Sequence, residues 1–97
     1  MTAPIAAVRF APDVVVQVTG DEAVLLKLTD EVAFSLNATA ARIASLISDG
    51  LAVPAIIDQL AEEYGAPRGS VATDVHALIE QLASKGLVSI RGEDPQS

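Results

Sequence analysis

One histidine, several pairs of adjacent carboxylates and scattered serines are the side chains through which this chain could do metal, acid–base or nucleophilic chemistry. His76 has Asp74 and Glu80 as its nearest carboxylates, and Glu80 stands four residues on, within reach along a helix. Two donors on one helix fall short of a zinc ligand set, and there is no cysteine to complete it. The spacing therefore predicts a structural histidine and no metal site. The pairs Asp21/Glu22, Asp30/Glu31 and Glu62/Glu63 are the acid–base candidates. That work needs surroundings that push two pKa values apart, and adjacent acids in polar turns are solvated. No serine stands in a nucleophile elbow. Gly65-Ala66-Pro67-Arg68-Gly69 lacks the Lys-Ser/Thr ending of a phosphate cradle and reads as a connection between helices. The residues thus assign no catalytic group, no metal and no cofactor.

Composition narrows the class further. The chain has 97 residues, enough for one domain, and 51% of them are hydrophobic. Aromatics make up only 3%, so the core must be built from Val, Ile, Leu and Ala. The absence of cysteine excludes a disulfide scaffold and suits a reducing cytosol. No basic segment precedes an apolar run at the start, so no signal peptide is expected, and the apolar runs are too short to span a bilayer. The expected location is cytoplasmic, without a membrane partner. The net charge is −7, and the six basic residues, Arg9, Lys27, Arg42, Arg68, Lys85 and Arg91, are scattered singly. Phosphate-backbone binding needs several cations on one face, so no nucleic-acid partner is expected.

These residues need elements to hold them. Val14–Val18, Ala23–Leu28 and Val32–Leu36 read as strands rich in β-branched and aliphatic residues, joined by the polar turns Thr19–Glu22 and Thr29–Glu31. Short turns favour an antiparallel meander, in which the third strand lies at an edge. Helices are predicted over Ala38–Ser48, from Val53-Pro54 to Tyr64, and from between Pro67 and Ser70 to Lys85. Gly50, Gly65 and Gly86 end them. Val71, Val75, Leu78, Ile79 and Leu82 fall on one side of the last helix, and Leu87–Ile90 adds a short terminal strand. Residues 1–12, with Pro4 and Pro12, are expected to be a flexible arm, with a short strand at Val8–Phe10 as the one element it could hold. Residues 13–91 are expected to form the domain, and residues 92–97 a disordered tail. The order gives an α+β domain, with a three-stranded antiparallel sheet followed by three helices on one face.

The most informative stretch is Phe34 to Ile43. A strand ending at Leu36 runs without a linker into a helix whose N-cap is Asn37. An edge strand beside amphipathic helices offers unpaired backbone groups that a partner peptide can satisfy by adding a strand. Two alternatives share the layout. One is a winged-helix nucleic-acid binder, disfavoured by charge; the other is a dimerisation domain pairing through the same edge.

Leu36-Asn37-Ala38-Thr39-Ala40-Ala41-Arg42-Ile43, then Asp49-Gly50, Ile56-Ile57 with Leu60, Asp74-Val75, and Leu82 with Gly86-Leu87 resemble, in order and spacing, the PqqD-like family over about residues 12–90. These are the leader-peptide-binding modules, or RiPP recognition elements, of ribosomally made, post-translationally modified peptide pathways, lasso peptides among them. The resemblance implies a winged-helix-like fold and no catalysis. It implies a precursor leader segment added antiparallel to the third strand, in the groove beside the third helix. It also implies presentation of the precursor to a modifying enzyme, a radical SAM enzyme or a leader peptidase. On this chain, Val32, Ala33, Phe34, Ser35 and Leu36 would supply the edge, and Val71, Asp74, Val75, Leu78 and Gln81 the groove, with Asp74 meeting a polar or basic leader group. The expected assembly is a monomer or weak dimer.

Overall fold

The computed structural model describes residues 5–92. Its elements are β1 (Ile5–Phe10), β2 (Val14–Thr19), β3 (Glu22–Lys27), β4 (Val32–Leu36), α1 (Ala38–Ser48), α2 (Val53–Tyr64), α3 (Arg68–Ser84) and β5 (Val88–Gly92). Strands β2, β3 and β4 form an antiparallel sheet in sequence order, and β1 pairs antiparallel with β5 in a separate ribbon. The fold is α+β, as the order of strand and helix patterns requires.

The meander is set by its first turn. Thr19 and Glu22 are partners across two residues, and Gly20 takes a φ of +59°. Glycine at the first central position is what a type II′ hairpin needs, because that turn matches the twist of the flanking strands. Alternation then fixes the faces. Val16, Leu25 and Phe34 stand in one cross-strand row, Ala23 and Leu36 in another, and this side meets the helices. Leu25 is fully buried, and Ala23 and Leu36 are also in the core.

The helices begin and end where local chemistry dictates. The Asn37 side chain accepts a hydrogen bond from the Ala40 N–H at 2.9 Å, capping α1 with no residue between strand and helix cap. α3 ends in a Schellman motif: the Leu87 N–H donates to the Leu82 carbonyl and the Gly86 N–H to that of Ala83, each at 3.0 Å. Leu87 is thereby folded back to full burial. Arg42 on α1 and Glu63 on α2 form a bidentate pair, at 3.1 Å and 2.6 Å, with Gln59 donating to the same carboxylate. The buried core joins Ile43, Leu46 and Ile47 of α1, Ile56, Ile57 and Leu60 of α2, and Val71, Val75, Ile79 and Leu82 of α3. No helix among the described residues is long and apolar enough to cross a membrane.

One expectation is corrected. Within the expected arm, the short strand at Val8–Phe10 reaches back to Ile5 and is paired, with Val8 opposite Ile90, Phe10 opposite Val88, and Val8 and Val88 buried, so Ile5–Phe10 belong to the fold. Its partner lies at the far end of the chain, so no local pattern announces its full length or its pairing. Of the expected tail, Gly92 closes β5 and the remainder lies outside the described residues.

Gly86 has a φ of +73°, so Gly86→Ala forces an L-residue into the left-handed region and should cost about 1–2 kcal/mol in urea unfolding. A Cβ there would stand 2.8 Å from the Lys27 ammonium, but that side chain can swing aside, so the backbone term decides. An unchanged midpoint would contradict this account of the cap. The Arg42 hydrogen bond, then that of Gln59, lower the Glu63 pKa from 4.5 to about 2. A depressed carboxyl pKa stabilises the fold above its unfolded value and loses that contribution as pH falls through the folded one. Stability should therefore decline between pH 4.5 and about 2. In Glu63→Gln the decline should be shallower and neutral-pH stability lower, as read by urea midpoints against pH.

Candidate functional site

The site begins with a row of backbone groups. A two-residue hairpin makes its closing pair, Thr19 and Glu22, a hydrogen-bonded pair. Hydrogen-bonded and non-bonded pairs alternate along an antiparallel ladder, so Glu22, Val24 and Leu26 turn their peptide groups toward β2. Ala23, Leu25 and Lys27 then bond to β4, where their partners are Leu36, Phe34 and Val32. That leaves the N–H and C=O of Ala33 and Ser35 directed away from the sheet. Among the described residues β4 pairs only with β3, so this outer edge is open.

Beside the edge lies a groove of about 250 Å³ between β4 and α3. Phe34, Leu36, Ala40, Leu78 and Leu82 give it an apolar floor, and Ser35, Asn37, Gln81 and Lys85 give it a polar rim. The Lys85 ammonium stands 5.3 Å from the centre of the Phe34 ring, the geometry of a cation–π contact. The direct Leu36–Asn37 junction matters here, because it brings Asn37 and Ala40 of the first helical turn to the end of the groove. A larger hollow, of about 590 Å³, lies by β1, β5 and the end of α1 and touches neither β4 nor α3.

The residues singled out in the sequence separate into two groups. Phe34, Ser35, Leu36, Leu78 and Gln81 line the groove, and Val32 and Ala33 continue the exposed strand beyond it. Val71 and Val75 are buried in the core, where they support the wall of α3 from behind. Asp74 is exposed and lies outside the groove. The sequence reading missed Asn37, Ala40, Leu82 and Lys85. Leu78, Gln81, Leu82 and Lys85 are spaced three and four apart, so they share one face of α3, further along its axis than Val71 and Val75.

The candidates for chemistry stay apart. His76 is half-buried on α3, and no group of three or more His, Cys, Asp or Glu among the described residues could hold a metal ion. Asp21, Glu22, Asp30 and Glu31 are exposed in turns or at strand ends. Glu63 is held ionised by Arg42, which leaves it no proton to donate near neutrality.

Comparison with known proteins places this geometry. The family model described as coenzyme PQQ synthesis protein D (PqqD) matches residues 22–88. A PqqA binding protein of Rhodopseudomonas palustris (strain BisB5) is 44% identical over 50 residues, covering 52% of this chain and 49% of that protein. A second PqqA binding protein, from Bradyrhizobium diazoefficiens, is 47% identical over 34 residues, 35% of this chain and 33% of that one. The chain thus spans half or less of the length of these curated relatives. Among solved structures, TbiB1 in complex with the TbiA(beta) leader peptide superposes with a TM-score of 0.79 at 32% identity, covering 89% of this chain and 98% of that one. Lasso peptide synthetase B1 complexed with the leader peptide gives 0.78 at 30%, covering 87% and 99%. With the family match running from the head of β3 to the first residue of β5, this chain belongs to the PqqD family.

Proposed function

We propose that this chain binds the leader segment of a ribosomally made precursor peptide by strand addition at β4 and presents it, without catalysis of its own, to a modifying enzyme of the same pathway. The observation that carries this reading is the open β4 edge aligned with an apolar-floored groove against α3. Relatives named as binders of PqqA, and lasso-type relatives solved with leader peptides, support the class of ligand.

A guest strand antiparallel to β4 would exchange hydrogen bonds with the N–H and C=O of Ala33 and Ser35. Each such bond contributes roughly 0.5–1.5 kcal/mol net. Every second guest side chain, opposite Leu36 and Phe34, would point into the groove over Leu78 and Leu82. Each apolar anchor buried there contributes roughly 1.5–3 kcal/mol. Ordering the guest opposes these terms, so the sum suits a reversible carrier that must release its precursor. The groove walls supply contact and no reactive group, which fits presentation to a separate enzyme, a radical SAM enzyme or a leader peptidase. The working unit is a monomer or weak dimer in the cytoplasm. A net charge of −7 with scattered cations gives the nucleic-acid alternative nothing to stand on.

The test uses fluorescent peptides selected on the wild-type protein from a displayed random dodecapeptide library. Adding one should slow amide exchange at Ala33 and Ser35, while Phe34, already bonded to β3, changes little. Ala33→Pro removes the outward N–H without breaking a β3–β4 bond, so affinity should fall about tenfold or more with the urea midpoint little changed. Leu78→Asp, which places a charge on the groove floor, should do the same. Peptides that bind Ala33→Pro and Leu78→Asp as tightly as wild type would place the ligand elsewhere and defeat this reading.

A further inference from the structure

We propose that the β4–α3 groove selects an acidic guest: a strand with an apolar anchor opposite Leu36 and, two residues C-terminal to it, a carboxylate that pairs with Lys85. This rests on the reading of the groove as a peptide site and adds the chemistry of its occupant.

Lys85 is exposed on the groove rim with its ammonium over the Phe34 ring, and among the described residues no carboxylate lies within 4 Å of it. Its neighbours one turn back on α3 are Gln81 and Leu82, so the helix offers it no intrahelical partner. The other cation at this end, Lys27, is already matched with Asp30 at 3.2 Å. The protein as a whole is strongly acidic, yet the head of the groove presents an uncompensated positive charge. The aromatic face attracts the ammonium from one side and leaves its remaining N–H donors free.

Register fixes where the matching charge must stand. In a guest antiparallel to β4, the residue opposite Leu36 comes first and meets Leu78 and Leu82. The residue opposite Phe34 comes two positions later, on the same face, beside Lys85. The intervening residue, opposite Ser35, projects to the far side of the sheet and is free to vary. A second copy docking through its own β4 does not meet the requirement. Its β4, Val-Ala-Phe-Ser-Leu, carries no carboxylate, and antiparallel pairing of two such strands would bring the two Lys85 ammoniums toward one seam. The occupant is therefore a separate acidic peptide.

The experiment selects the dodecapeptide library in parallel on full-length wild type and Lys85→Glu, then measures affinities of the recovered peptides and of their Glu→Gln and Glu→Lys variants. Wild type should enrich an apolar residue followed two positions later by Asp or Glu. Lys85→Glu loses the ring contact and puts an anion at the end of α3, so its urea midpoint should fall a little while the transition stays cooperative. The folded variant should bind those peptides about tenfold more weakly and enrich Lys or Arg at that position. Wild-type affinity should drop with added salt more steeply for the Glu peptide than for its Gln variant. Apolar alternation without a charge preference, or the same acidic motif recovered on Lys85→Glu, would overturn the role of Lys85 while leaving the groove reading standing. If wild type enriched no peptide whose binding Ala33→Pro weakens, the groove reading itself would fall and take this one with it.

Discussion

The register of β3 against β4 is the constraint from which the site's other properties descend. Leu25 faces Phe34, and Ala23 faces Leu36, as hydrogen-bonded partners on the buried side. In that arrangement the Phe34 and Leu36 side chains turn to the helices while the peptide groups of Ala33 and Ser35 turn to the open edge. A slip of one residue would reverse both, sending Phe34 to solvent and closing the outward donors against β3. The burial of Leu25 and Leu36 holds this register, and the two-residue turn at Gly20-Asp21 sets its phase. Groove floor and unpaired backbone are thus two consequences of one pairing, and neither can be altered without the other.

The helical layer converts that edge into a groove. Because Asn37 caps α1 directly after Leu36, the chain leaves β4 with its direction fixed, and the first turn of α1 closes one end of the trough. At the other end, the Gly86 cap stops α3 and folds Leu87 into the core before the chain enters β5. The Lys27 stem runs beneath this end, with its ammonium close to Gly86 and paired with Asp30. A cation at the C-terminal end of a helix is favourably placed against the last carbonyls. Arg42 and Glu63 tie α1 to α2 on a different face, so the ion pair with the most perturbed carboxyl group serves the scaffold and stays clear of the groove.

Much of this was legible in the sequence because the governing signals are local. The strand Val32–Leu36 and the helix Ala38–Ser48 have the bounds that alternation, the Asn37 cap and Gly50 dictate. The open edge follows from two short turns, which force strand order to follow chain order. What could not be read depends on contacts far apart in the chain. β1 has two alanines in its first half and lies between Pro4 and Pro12, and its full length from Ile5 is fixed by β5 lying alongside it. Along α3, periodicity marks a face but not which turns of that face are covered. Val71 and Val75 are buried in the core, whereas Leu78, Gln81, Leu82 and Lys85 line the groove beside β4. Lys85 carried no sequence signal of its own, since its significance comes from the Phe34 ring below it.

An open strand edge invites unwanted pairing, and the composition of β4 shows how the liability is contained. The strand is only five residues long, bounded on one side by Asp30 and Glu31 in the turn and on the other by an immediate helix. Short edges with charge at their ends pair poorly with copies of themselves, and a net charge of −7 keeps copies apart at longer range. That repulsion does not act on a short guest that brings its own apolar anchors, and at the head of the groove Lys85 supplies the opposite sign. The negative surface and the positive spot therefore act together: one discourages association of the protein with itself, and the other leaves a place where an acidic strand is the better partner. Selection at such a site comes from the sign and spacing of charges around a backbone row that any peptide could satisfy, so discrimination resides in the groove and binding strength is shared with the edge.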